Sequence, residues 1–114
     1  MYKKINSVAV LGLDCNLVTI EIDTSQGFPG FQVVGLADTA IQEAKERIRS
    51  AWKNSGLKFP NGHRILINLA PADVRKEGSS YDLPMAVGMF FSLENSDIDL
   101  SDSFFTGELA LDGK

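Results

Sequence analysis

The spacing of apolar side chains changes along the chain, and each change of period predicts an element. "SVAVLGL" (7–13) and "NLVTIEIDT" (16–24) are rich in Val, Ile and Leu, and the second alternates Val18, Ile20 and Ile22 against Leu17, Thr19, Glu21 and Asp23. A period of two sends alternate residues to opposite faces of a sheet, so these are strands with one covered and one wetter face. Gly12, Asp14 and Asn16 predict a hairpin between them. "SQGFPG" (25–30) reads as a turn-rich connection, followed by a short buried strand from Phe31 to Val34 that Gly35 ends.

From Asp38 to about Ser55 the period becomes helical: Ile41, Ala44, Ile48, Ala51 and Trp52 recur on one face, with Glu43, Lys45, Glu46, Arg47 and Arg49 on the rest. Thr39 and Gln42 fit a capping box, Gly56 fits the C-terminal stop, and Glu43 and Arg47 are spaced for an i,i+4 pair. "HRILINLAP" (63–71) predicts a strand closed by Pro71. A second helix follows near Leu83 to Leu93, apolar nearly all round and so expected to be packed on both sides; Pro84 is tolerated in its first turn, where N–H groups are unpaired anyway. "ENSDIDLSDS" (94–103) is a polar acidic loop, and "FFTGELALDGK" (104–114) reads as a strand entering a tight turn at Asp112-Gly113. No returning strand precedes Lys114, so the expectation is the N-terminal part of a longer protein.

With 114 residues the chain is expected to form one domain spanning 1–114, and its 44% hydrophobic and 23% charged residues are those of a globular chain rather than a disordered one. The formal charge of −4 argues against a general electrostatic hold on nucleic acid, although Arg47, Arg49, Lys53, Lys58 and Arg64 leave the middle of the chain locally basic. Glu43 and Glu46 lie among them, which makes a solvated helix face the simpler reading and a nucleic-acid strip the second one. Cys15 is the single cysteine, so no intrachain disulfide forms and a reducing, cytoplasmic setting fits. The apolar run after Lys3 and Lys4 is too short for a signal peptide and ends at Asp14, and no stretch reaches transmembrane length.

Candidate chemistry is sparse. "VVGLADTAIQE" (33–43) passes from strand through glycine to helix, as phosphate-binding turns do, but lacks both the G-x-G-x-x-G and the G-x-x-x-x-G-K-[ST] spacing, so a plain turn is the simpler reading. His63, the sole histidine, has no His or Cys partner in sequence and reads as a surface or strand-end residue. Trp52 and the Phe90-Phe91 pair are expected in the core, with at least one of Phe104 and Phe105. "KEGSSYDLPMA" (76–86) is richer: Gly78 lets the backbone bend, Ser79 and Ser80 supply hydroxyls, and the following helix offers free N–H groups. Ser80 or Asp82 as N-cap is the leading explanation; a serine nucleophile would need a base, and whether Arg75, Lys76 or Glu77 serves is open.

Taken together, "VVGLADTAIQEAKERIRSAWKNSGLKFP" (33–60), "INLAPADVRKEGSSYDLPMAVG" (67–88) and "FFTGELALDG" (104–113) resemble the N-terminal domain of ComM/YifB-type proteins, bacterial AAA+ ATPases related to the magnesium chelatase ATPase subunit. The resemblance implies an α+β fold of the ribosomal protein S5 domain 2-like, Lon-protease-like type, a sheet with two helices packed on it, truncated at the C-terminal hairpin. It implies a longer, hexameric ATPase promoting branch migration of DNA in natural transformation, with ATP and Mg²⁺ bound in a later module and no catalysis by this segment. Against the Lon pattern, Gly78 and Ser80 fall on the glycine and nucleophile positions, but Ser79 stands where proline is usual and Tyr81-Asp82 replace small residues. The lysine of the Lon pattern would follow the "GELALDG" hairpin, past Lys114, so Ser80 is expected to be a vestigial nucleophile position. A Ser-Lys peptidase domain using Ser80 and a stand-alone interaction module are the alternatives.

Overall fold

The computed structural model describes the chain except residues 12–13, 72–75 and 114, and gives the backbone alone for 10, 11 and 14. Its elements are β1 (Tyr2–Leu11), β2 (Asp14–Gln26), β3 (Gly30–Val34), α1 (Thr39–Asn54), β4 (His63–Ala70) and α2 (Asp82–Leu93). The strands form one sheet in the order β1-β2-β4-β3. β1 pairs antiparallel with β2 from Tyr2↔Asp23 to Leu11↔Asp14, and β2 pairs antiparallel with β4. β3 lies parallel to β4, which is possible because α1 carries the chain back along the sheet between them. The result is an α+β arrangement with a mixed four-stranded sheet and two helices.

The alternation in β2 sorts as its period requires: Val18, Ile20 and Ile22 are buried, while Leu17 and Asp23 are exposed. They meet Ile5, Phe31, Val33, Ile65, Ile67 and Leu69 from the neighbouring strands, and Ile41, Ile48, Trp52, Met85 and Met89 from the helices. Both helices therefore cover one face of the sheet, leaving the face that carries Glu21, Gln32 and Asn68 more open. α2 lies close to this sheet because Gly88 faces β1 and β2; a Cβ there would sit 2.2 Å from Ile22 Cδ1 and 3.0 Å from Ile5 Cγ1. Gly35, at φ +104°, ends β3 where a Cβ would meet the Leu69 carbonyl oxygen at 2.3 Å.

Several expectations change in detail. β2 continues through Ser25 and Gln26, so the turn before β3 is shorter than the composition of 25–30 suggests, and in β3 only Phe31 and Val33 are buried. Gly12 of the expected hairpin turn lies outside the described residues. The cap of α1 is Asp38 rather than a Thr39–Gln42 box: its carboxylate accepts from Ile41 N at 2.9 Å, and Gln42 instead donates to the Val33 carbonyl. The helix stops as expected, with Gly56 N–H on Lys53 O and Leu57 N–H on Trp52 O. Trp52 is buried, but Phe90 is 37% exposed, because the largely apolar α2 has only part of its circumference covered by the sheet and α1.

The largest correction concerns residues 104–110, which do not form the expected strand. Only a bridge between Phe104 and Asn6 touches the sheet edge, secured by Phe105 N–H to Asn6 O at 2.9 Å and Ser7 Oγ to Phe105 O at 2.7 Å. Phe105 packs on the core while Phe104 is exposed. Beyond it, backbone hydrogen bonds run from this segment to the start of α2 instead of along β1. The turn at Asp112-Gly113 does form, closed by Gly113 N–H to Ala110 O at 3.0 Å.

Candidate functional site

The stretch 76–82 lies where β3–α1 and the entry to α2 meet. Its backbone joins the segment after β3: Lys76 N–H donates to Leu36 O at 3.1 Å, and Asp38 N–H donates to Lys76 O at 3.2 Å. The Lys76 side chain is 1% exposed, and its ammonium donates to the Gly35 carbonyl at 2.9 Å and to the Pro71 carbonyl. A buried ammonium needs such oxygens to replace lost hydration, so Lys76 acts as a fastener between the ends of β3 and β4. Arg75, the other basic residue beside Ser80, lies outside the described residues.

Asp38 links the same segments from the other side. One carboxylate oxygen caps α1 at Ile41 N, and the other accepts from Gly78 N at 3.0 Å. Gly78 adopts φ +91° with open space around its Cβ position, so glycine is needed there for the backbone and not for room. This negative charge also lies near the Tyr81 phenol, whose pKa is raised first by burial and second by Asp38.

α2 then begins without the expected Ser80 or Asp82 cap. The capping position is Tyr81, whose side chain makes no cap hydrogen bond. Asp82, with no exposed surface, is instead held by Arg47 from α1 through Nε to Oδ2 at 2.6 Å and Nη2 to Oδ1 at 2.9 Å. Oδ2 also accepts from Leu109 N at 3.2 Å. Arg47 turns a further N–H to the Ala40 carbonyl at 2.8 Å, while Glu43, its sequence-predicted partner, stands 4.0 Å away and largely exposed. The hydrogen bond to Asp82 holds the Arg47 guanidinium above its ordinary pKa. A planar fork on a carboxylate fixes direction as well as distance, so this pair sets how the two helices meet. It also places negative charge at the start of α2, where the helix dipole favours it.

Ser80 sits inside this frame. Its carbonyl accepts from Gly107 N at 2.8 Å, and the next turn reciprocates with Leu83 N–H to Gly107 O at 3.0 Å. Its side chain is half-buried, and no hydrogen bond joins its hydroxyl to a base among the described residues. The structure thus brings Gly78, Ser80 and Asp82 together around the start of α2, but assembles an ion pair and backbone clasps there. A serine without a neighbouring base stays protonated and weakly nucleophilic. Among the described residues, no cluster of His, Cys, Asp or Glu has metal-binding geometry.

Two features escaped the sequence reading. Asp82 at the start of an apolar helix signals a buried acid that requires a cation, yet its partner is 35 residues away. His63 does begin β4 at the strand end, with its N–H on the Pro60 carbonyl, but its Nδ1 is buried and has no hydrogen-bond partner among the described residues.

Residues 20–114 match the family described as subunit ChlI of Mg-chelatase. The chain is 43% identical over 110 residues to YifB of Escherichia coli strain K12, covering 96% of this chain and 22% of that protein. It is 45% identical over 109 residues to the competence protein ComM of Haemophilus influenzae, covering 95% of this chain and 21% of that protein. A third relative, the Mycobacterium bovis protein Mb2921c, is 40% identical over 109 residues, covering 95% of this chain and 22% of its own length. The chain spans about a fifth of the length of these curated relatives. The chain belongs to the ComM/YifB family of proteins related to the Mg-chelatase subunit ChlI.

Proposed function

We propose that the chain is one domain, 1–114, of a longer ComM-like AAA+ ATPase that processes DNA in the cytoplasm, and that it serves ring assembly or DNA guidance rather than catalysis. The observation that carries this reading is the 45% identity to a competence protein across 95% of the chain. Competence is the uptake of DNA, and in this reading the whole protein acts on that DNA by branch migration when it recombines. The four-stranded sheet with two helices on one face accords with a ribosomal protein S5 domain 2-like, Lon-protease-like fold.

The local geometry favours an accessory role. Both helix starts that could cradle a phosphate carry a carboxylate instead: Asp38 accepts from Ile41 N at α1, and at α2 Asp82 adds its own negative charge while the Gly107 carbonyl accepts from Leu83 N. Carboxylates at these termini disfavour a phosphate, and in this reading ATP and Mg²⁺ bind residues outside the chain. Ser80, clasped by backbone bonds and without a base among the described residues, is in this reading a catalytic position no longer used.

The test is ATP hydrolysis and assembly state of the full-length protein with and without DNA. A hexamer whose hydrolysis is stimulated by DNA is expected. A protein that stays monomeric and hydrolyses ATP at one rate regardless of DNA overturns the reading.

A further inference from the structure

The basic residues that crowd the sequence from 47 to 64 have different fates in the fold. Arg47 is turned inward to Asp82, whereas Arg49, Lys53 and Lys58 line one groove of about 570 Å³ between the later turns of α1, the start of β3 and the connection into β4. Phe59 and His63 line it too, and among the described residues no Asp or Glu does. The Arg49 guanidinium lies 5.7 Å from the Phe31 ring centroid and 5.5 Å from that of Phe59, so its charge is held in place over the groove. Its acidic neighbour Glu46 stands 3.9 Å away with a 79% exposed side chain, a contact that solvent and salt weaken.

Directly before Pro29, which lines the rim, Phe28 is 94% exposed. A ring this exposed gains nothing from the core. A cationic groove with a free aromatic platform at its edge is the combination that holds a single strand, neutralising phosphate charge and stacking a base. The acidic residues of 94–102 are remote in sequence and line none of this groove, so a chain of net charge −4 still presents one basic surface.

We propose that this groove is a binding site for single-stranded nucleic acid, with a backbone phosphate among Arg49, Lys53 and Lys58 and a base stacked on Phe28. The inference deepens the DNA-processing reading and rests on it for the choice of DNA as ligand.

The test is fluorescence anisotropy of a labelled oligothymidylate with the 114-residue chain. Saturable binding that weakens with salt is expected. Lys53→Glu combined with Lys58→Glu should weaken it at least ~10-fold and Phe28→Ala by about 5-fold or more, whereas Lys4→Glu, a charge reversal on β1 away from the groove, should leave it unaltered. Thermal unfolding checks each variant, and Lys53→Gln with Lys58→Gln replaces the double reversal should that variant not fold. Parental affinity in the groove variants overturns the proposal. So does displacement by polyglutamate as effective as by unlabelled oligonucleotide, which would make the groove a site for acidic peptides. If the full-length protein responds to DNA while groove variants bind normally, only the groove assignment falls; if it ignores DNA altogether, the broader reading falls.

Discussion

Arg47 of α1 grips Asp82 of α2 through two parallel hydrogen bonds of 2.6 and 2.9 Å, and the carboxylate has no exposed surface. Removing one member of a buried pair leaves the other charge without compensation, so Asp82→Ala is expected to destabilise the fold by about 3 kcal/mol or more. Replacing both, as Arg47→Met with Asp82→Leu, should recover a large part of that loss, because an apolar pair carries no desolvation cost. Denaturant unfolding of the single and double variants gives the coupling; additive effects would show that the pair does not act as a unit.

Asp38 is the second clamp, with one oxygen on Ile41 N and the other on Gly78 N. Asp38→Ala is expected to cost about 1–2 kcal/mol, the upper part of the range for a helix cap, since a second backbone donor is orphaned with it. Asp38→Asn keeps an acceptor for the cap and should cost less than half as much in urea unfolding.

These two clamps mark the limit of what the sequence conveys. The strands and helices were legible because apolar period is local: Val18, Ile20 and Ile22 predict their own burial, as do Ile41, Ala44 and Ile48. Asp38 and Arg47 were visible as residues but not as partners, because a cap competes among near neighbours and an ion pair across 35 residues needs the packed helices to exist. The segment 104–110 has strand-like composition, yet its backbone groups at Gly107 bond to Ser80 and Leu83. The basic stretch of the groove was visible in the sequence, but not which of its cations face one groove: Arg47 turns away to Asp82 while Arg49, Lys53 and Lys58 gather once α1 lies against β3.

Gly88 sets how near α2 approaches the sheet. A methyl group would fall 2.2 Å from Ile22 Cδ1, and both Ile22 and Ile5 are fully buried, so neither has room to withdraw without disturbing the core. Alanine gains about 1 kcal/mol in helix propensity, but overpacking typically costs about 1–3 kcal/mol. Gly88→Ala is therefore expected to be net destabilising by about 1 kcal/mol, read as a lower melting temperature; a rise would mean that α2 can shift outward freely.

Tyr2 and Glu21 form a hydrogen bond of 2.5 Å across the β1–β2 pairing, with Asn68 donating to the other Glu21 oxygen at 2.8 Å. That bond raises the Tyr2 pKa to about 12 and, as its largest cause, lowers that of Glu21. The Tyr2 contribution to stability is present below the ordinary tyrosine range and lost as pH rises through about 12. The Glu21 contribution is present above the ordinary carboxylate range and lost as pH falls through its lowered value. Ultraviolet titration should find neither Tyr2 nor Tyr81 ionising in the ordinary range, and Glu21→Gln should return Tyr2 alone toward it. An unchanged Tyr2 titration in that variant would refute the assignment.

Ser80 permits a test that separates structural from catalytic use. Its backbone is engaged by Gly107, but its hydroxyl has no base beside it among the described residues, so the two roles can be separated by removing the oxygen alone. Ser80→Ala is expected to change stability by no more than about 0.5 kcal/mol. The full-length protein should react with a serine-directed fluorophosphonate no more than its Ser80→Ala variant does, because an unactivated hydroxyl is a poor nucleophile. Labelling that disappears in the variant would establish Ser80 as activated, with a base supplied from outside the described residues, and would replace the accessory reading with a peptidase.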